Sequence, residues 1–358
     1  MSQPPDRLQR LIAGAGAKGA SDVSLEPRDD GSVLVMARID GVRAGIGILS
    51  PAEAPAALAK LKTLAELPAY ITAEVQEGRI DGAAYGIPGE LRMAILPTVR
   101  GQRLALRLPS IGAVPPPENL GLIPVITTRL RQLFRRPQGL IVVTGPTGSG
   151  KTTTLHSFLT DLARERPDRQ IITIEDPVER RLPDITQVEV DPKHNLGFAE
   201  VISASLRHDP DVIVVGEVRD PVTAAACVRA ALTGHLVATT VHAGRAGEVV
   251  PRLLEMGVDP AQLMPALAGV LSQRLTRLVH AACGGAGCQG CTDGFRGRRP
   301  LADLLVVDGP VRSALMAGKM PTLVADMDLQ AAALVHARMT SDQEVNRVIG
   351  ESLEHGIH

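Results

Sequence analysis

The run Gly145-Pro146-Thr147-Gly148-Ser149-Gly150-Lys151-Thr152-Thr153-Thr154 has the residue types and spacing of a phosphate-binding loop, G-x-x-x-x-G-K-[ST]. The backbone N–H groups of such a loop, with the N-terminus of the helix that follows, make an anion site. Lys151 stands where an ammonium reaches the β- and γ-phosphates, and Thr152 where a hydroxyl holds Mg²⁺. Gly145, Thr147, Gly148, Ser149, Gly150 and Thr153 complete the candidate cradle for ATP. The context fits. Gly139 to Thr144 is a short apolar, β-branched run that reads as a buried strand, and Thr153 to Leu162 reads as a helix.

Hydrolysis needs carboxylates as well, to hold the metal and orient a water for in-line attack. Two strand ends offer them. Asp211-Val212-Ile213-Val214-Val215-Gly216-Glu217 puts Glu217 at the carboxyl edge of a sheet, where α/β proteins bind ligands. Ile172-Thr173-Ile174-Glu175-Asp176-Pro177-Val178-Glu179 ends in a cluster of three carboxylates. Spacing alone does not choose between Glu175 and Glu179.

A third group has metal-ligand spacing. His280-Ala281-Ala282-Cys283 is H-x-x-C and Cys288-Gln289-Gly290-Cys291 is C-x-x-C. One nitrogen and three sulfurs suit a closed, tetrahedral structural zinc site with no open position for a substrate. Cys227 sits in an Ala-rich stretch and reads as a core residue.

The elements that must position these groups read as two domains. Residues 1–109 form a small α+β domain. It has a helix over Leu8–Ala17, strands over Val33–Ile39 and around Ile46–Ile48, a helix over Ala52–Leu67, and strands over Leu91–Leu96 and Arg103–Leu108. Residues 110–121, with three consecutive prolines, read as a linker. From 122 to 358 helices alternate with apolar strands at 139–144, 170–174, 211–215 and 235–241, the pattern of an α/β parallel sheet. After about 260 the chain reads as mostly helical apart from the cysteine cluster.

Composition narrows the function classes. A net charge of −1 over 358 residues provides no basic field for nucleic acid, so no direct nucleic-acid partner is expected. No apolar stretch approaches the ~18 residues of a membrane span, and the first residues lack an apolar signal core. The expected location is cytoplasmic, with any membrane attachment made through partners. Aromatic residues are 2% with no Trp, so the cores must be aliphatic.

Several blocks, in order, resemble the ATPases of type II secretion, type IV pilus assembly and competence. Ser21-Asp22-Val23-Ser24-Leu25-Glu26-Pro27 is similar to that superfamily's S-D-I-H-I-E-P element, and Arg38-Ile39-Asp40-Gly41 to its R-I-D-G turn. Leu96-Pro97-Thr98 and Arg103 to Arg107 resemble the end of its N-terminal domain. Glu175 to Glu179 resembles its Asp box, Leu206 to Asp220 its Walker B element, and Gly234 to His242 its His box.

The resemblance implies a RecA-like P-loop ATPase domain preceded by a PAS-like α+β domain, assembled as a homohexameric ring. It assigns Glu217 to the Walker B glutamate and Glu179 to the catalytic Asp-box carboxylate, with Glu175 and Asp176 beside it at the nucleotide. His242 matches the γ-phosphate-sensing histidine and His235 the first histidine of that box. Arg92 and Arg107 match arginines of the N-terminal domain that reach the nucleotide; a guanidinium fork pairs well with phosphate oxygens. The family's metal site has two C-x-x-C pairs, whereas here His280 replaces the first cysteine and only four residues separate the pairs.

The cysteine cluster favours the secretion and pilus-assembly branch over the retraction branch. The chain begins almost at the second N-terminal domain of the larger members, so a short form is expected, peripheral at the inner membrane through a platform protein. The alternatives are a retraction or DNA-translocating motor of the same superfamily, or a nucleotide-binding regulator without turnover.

Overall fold

The computed structural model describes residues 6–109, 112–194, 196–319 and 321–350. The chain divides into two units. One takes in residues up to 113 together with 282–296; the other takes in 114–281 and 297 onward.

In the first unit Asp6 caps helix α1 (Arg7–Ala17) by accepting the Gln9 N–H at 2.7 Å. Strands β1 (Asp22–Pro27), β2 (Val33–Ile39) and β3 (Val42–Leu49) follow. Next come α2 (Ala54–Leu64), β4 (Gln76–Asp81), β5 (Glu90–Thr98) and β6 (Gly101–Arg107). The strands form one sheet in the order β3-β2-β1-β6-β5-β4. Alternation puts Val23, Leu25, Leu91, Met93, Ile95, Leu104 and Leu106 on the core face, against Leu8 and Ile12 of α1. Tyr85 is buried in this core. Strand β4 was not expected. Its sequence, Gln-Glu-Gly-Arg-Ile-Asp, is polar because it is a sheet edge with only two buried residues.

The second unit begins with α3 (Pro124–Phe134), β7 (Gly139–Thr144) and α4 (Lys151–Glu165). Then come β8 (Ile171–Glu175), β9 (Thr186–Glu189), α5 (Phe198–Ser205), β10 (Val212–Val215), α6 (Pro221–Leu232) and β11 (Leu236–Val241). Helices α7 (Val249–Glu255) and α8 (Pro260–Ala266) lead into β12 (Leu267–Val279) and β13 (Phe295–Val306). Helices α9 (Gly309–Met316), α10 (Met327–His336) and α11 (Asp342–Ile349) close the described chain.

The seven strands run in the order β13-β12-β7-β11-β10-β8-β9, and every pairing from β12 along to β9 is parallel. Strand β7 is buried at every position, as a central parallel strand covered on both faces must be. Leu140 and Val142 pack on one side with α6 and α8; Ile141 and Val143 pack on the other with α3 and α4. Phe134 and Phe158 stack there at 5.4 Å, the one aromatic pair among the described residues. Strand β11 lies between β7 and β10, so the loop after β7 faces the end of β10 across one intervening strand.

The expectation of helix after 260 is corrected. Strands β12 and β13 are 13 and 12 residues long. The polar triplet Ser272-Gln273-Arg274 breaks the apolar pattern of β12, yet tertiary burial makes it a strand.

Candidate nucleotide site

Residues 145–150 connect β7 to α4, so the phosphate loop sits at the carboxyl end of a central strand. Gly145 has φ +143°, and a Cβ there would lie 2.3 Å from the Gln273 carbonyl, so only glycine fits. Gly150 heads the 15-residue α4 in a left-handed conformation, with no side chain capping the helix. Lys151 Nζ donates to the carbonyls of Gly145 at 2.9 Å and Pro146 at 3.0 Å. Ser149 Oγ is buried and has no hydrogen-bond partner. An uncapped helix N-terminus, an ammonium and an orphaned hydroxyl in one loop fit a phosphate group. Thr147, Gly148, Thr152 and Thr153 are exposed around it.

Glu217 follows β10 and is mostly buried. Its Oε1 is 2.5 Å from Arg219 Nη2 and its Oε2 is 3.8 Å from His242 Nε2. Burial lowers the pKa of the Lys151 ammonium; Glu217 opposes this and Arg274 adds to it, so all three act on one volume. Asp220 ends the segment by capping α6, accepting the Thr223 N–H at 2.8 Å.

The segment after β8 separates its carboxylates. Glu175 is buried and accepts from Thr173 Oγ1 at 2.7 Å and Gln187 Nε2 at 2.9 Å, with His156 Nε2 of α4 at 3.3 Å. Burial would raise its pKa, but hydrogen bonds from His156, Gln187 and Thr173 outweigh burial and hold it below the usual carboxylate range. Asp176 and Glu179 are exposed beyond it. Gln187 and Glu189 of β9 fasten this segment through Arg180 O at 2.9 Å and Val178 N at 2.9 Å.

The two histidines of the 234–242 block stand at opposite ends of β11. His242 follows its carboxyl end beside Glu217. His235 precedes its first residue, its ring nitrogen 3.1 Å from Ala230 O. Six strand residues separate them, about 20 Å. The structure therefore brings His242, Glu217 and Lys151 together and leaves His235 at the other edge.

Arg92 and Arg107 are direct cross-strand partners on β5 and β6, and Arg79 of β4 pairs with Arg92. With Asp22 and Glu77 they line a hollow of about 440 Å³ on the first unit's sheet. Carboxylates share the row with the guanidinium groups: Asp22 and Glu77 line the same hollow and Glu90 holds Arg79 at 3.2 Å.

His280, Cys283, Cys288 and Cys291 place one ligand atom each within 4.8 Å of one another. Cys291 Sγ is 3.8 Å from Cys283 Sγ and 3.7 Å from Cys288 Sγ. Tetrahedral zinc with arms of about 2.3 Å requires edges of ~3.8 Å, so the donor set fits zinc.

Sequence reasoning missed three residues. His156, Gln273 and Arg274 all contact the phosphate loop's helix, its backbone or its neighbours. The signal for the last two was the polar Ser272-Gln273-Arg274 that interrupts the apolar residues of 267–271.

Residues 5–349 match the family model described as "Type II/IV secretion system protein". The chain is 37% identical to the type IV pilus assembly ATPase PilB of Thermus thermophilus, over 89% of this chain and 39% of that protein. It is 38% identical to the type II secretion system protein HxcR of Pseudomonas aeruginosa, over 91% of this chain and 70% of that protein. The fold matches the Legionella pneumophila ATPase DotB with a TM-score of 0.71 at 21% identity, covering 97% of each chain. It matches the pilus retraction motor PilT with bound ADP with a TM-score of 0.60 at 27% identity, covering 96% of this chain and 92% of that one. The chain spans well under half of the Thermus relative and about two thirds of the Pseudomonas one. A phosphate loop on the central strand of the parallel run β12-β7-β11-β10-β8-β9 and a family match over nearly its whole length lead to one conclusion: this chain belongs to the type II/IV secretion system protein family.

Proposed function

We propose that this chain hydrolyses MgATP as a subunit of a homohexameric ring that drives type II secretion or type IV pilus assembly. The observation that carries the reading is Glu217, held at the carboxyl edge between His242 and Arg219 and facing Lys151. Bound MgATP supplies the γ-phosphoryl group and a metal that neutralises its charge. Lys151 exchanges the Gly145 and Pro146 carbonyls for phosphate oxygens. Thr152 is the hydroxyl for Mg²⁺. Glu217 orients the attacking water and accepts its proton, releasing an Arg219 that is mostly solvent-exposed. Glu179 assists from the loop after β8, and Glu175 fixes the root of that loop rather than meeting the nucleotide itself. Arg92 and Arg107 stabilise charge on the phosphates.

The ring is proposed to sit in the cytoplasm against the inner membrane through a platform protein. Among the described residues no helix is long and apolar enough to cross a membrane. The likeness to PilT gives a second reading, a retraction motor built on the same chemistry.

The deciding experiment is Mg²⁺-dependent ATP hydrolysis by protein fractionated by size, with Lys151→Ala alongside. Turnover in a hexamer-sized fraction, lost in the variant, supports the proposal. ATP binding without turnover in every fraction overturns it in favour of a regulator.

A further inference from the structure

We propose that Gln273 and Arg274 are positioning residues that tie the phosphate loop to the segment carrying His242. This proposal rests on the ATPase reading of the site and extends it to two residues of β12.

Neighbouring residues on a strand point to opposite faces. Gln273 uses one face to clamp the phosphate loop. Its Nε2 donates to Ser149 O at 2.7 Å and its Oε1 accepts from Thr154 Oγ1 at 2.8 Å. The amide is buried, and both its ends are engaged with groups on either side of Lys151. The backbone is equally close, since Gly145 has room for no Cβ against the Gln273 carbonyl.

Ser272 and Arg274 use the other face. Arg274 Nη2 donates to Gly244 O at 2.6 Å and Ser272 Oγ donates to the same carbonyl at 3.1 Å. Gly244 lies two residues beyond His242, and its N–H donates to Glu248 at 2.6 Å. The next residue, Arg245, is fixed by Asp328 at 2.7 Å and Asp303 at 3.3 Å. The segment after His242 is therefore anchored to β12 and to the elements behind it. A displacement of the phosphate loop reaches Gly244 through this dipeptide, beside the link that Thr144 makes to Ala243 at the root of the loop.

Two measurements test this. The first is amide exchange with and without ATPγS and Mg²⁺. In the unsubstituted protein, nucleotide should slow exchange in both 145–151 and 243–248. In Arg274→Gln it should slow exchange in 145–151 alone. Protection of both segments in the variant overturns the proposal, as does protection of the loop alone in the unsubstituted protein. Arg274→Lys, which keeps the charge and most of the stem, replaces Arg274→Gln if that variant does not fold.

The second is a split between binding and turnover. Arg274→Gln should lower kcat about tenfold to a hundredfold while nucleotide affinity stays within about threefold, the mark of lost alignment. Gln273→Leu should weaken nucleotide binding about tenfold, the cost of one or two hydrogen bonds. Equal losses of both quantities in both variants would mean a purely structural role. If the unsubstituted protein binds nucleotide without turnover, the ATPase reading fails and the exchange measurement alone decides this one.

Discussion

The Thr144 hydroxyl joins the last residue of β7 to the segment that follows β11. It accepts the Ala243 N–H at 2.9 Å and lies 2.8 Å from Val241 O and 2.9 Å from Ala243 O. Its one proton is shared between two carbonyls. The strand that carries the phosphate loop and the strand that carries His242 are thus locked together at the edge where both open onto the site.

That lock should be costly to remove. Thr144→Val keeps the volume but leaves the half-buried Ala243 N–H without its acceptor, at about 0.5–1.5 kcal/mol. Urea unfolding should show a loss of that size, with kcat falling more than nucleotide affinity. A neutral substitution would mean that the segment after β11 settles elsewhere without loss.

Glu217→Gln preserves shape and removes the proton acceptor. Hydrolysis should fall about 10²–10⁴-fold, the usual worth of a positioned base, with ATP binding retained. Single-turnover kinetics with a fluorescent nucleotide separates the two. Turnover near the unsubstituted rate would transfer the role to Glu179.

Helix α11 is pinned to β12 by Glu344, which accepts from Arg277 Nη2 at 2.8 Å and Arg347 Nη2 at 2.6 Å. Burial works to raise this carboxyl, but hydrogen bonds from Arg347 and Arg277 bring it down to about 2. A carboxyl lowered on folding stabilises above its unfolded pKa of about 4.3 and loses that contribution as pH falls toward its folded value. Glu344→Gln should therefore lower the melting temperature at pH 7, and the gap to the unsubstituted protein should narrow between about pH 4.5 and 2. A gap that is constant with pH would show that packing, and not charge, is what the substitution removes.

Protein grown with zinc should contain about one ion per chain, and a strong chelator should lower its thermal stability. Cys288→Ser with Cys291→Ser should abolish the metal and leave Lys151-dependent nucleotide binding intact. Elemental analysis that finds no zinc in the unsubstituted protein would make the cluster a set of reduced thiols.

The phosphate loop was legible because all its parts are contiguous, and Glu217 because it ends an apolar run. The parallel sheet was legible because its central strands are uninterrupted apolar runs. Strand β12 was not, because a buried amide and a half-buried guanidinium look like a break until their partners on other elements are known. Nor could spacing separate Glu175 from Glu179: the difference lies in His156 and Gln187, 19 residues before and 12 after Glu175. The histidines that flank β11 look alike in sequence; only strand direction sends one toward the phosphate loop and the other away.

The scarcity of aromatic residues has a practical side. Both tyrosines, exposed Tyr70 and buried Tyr85, belong to the first unit, and there is no Trp. Tyrosine emission from the native protein therefore reports the first unit alone. A single Trp introduced in place of Phe158, which stacks from the phosphate loop's helix onto Phe134 of α3, would give that unit a colour of its own. The two units could then be watched unfolding separately in one cuvette.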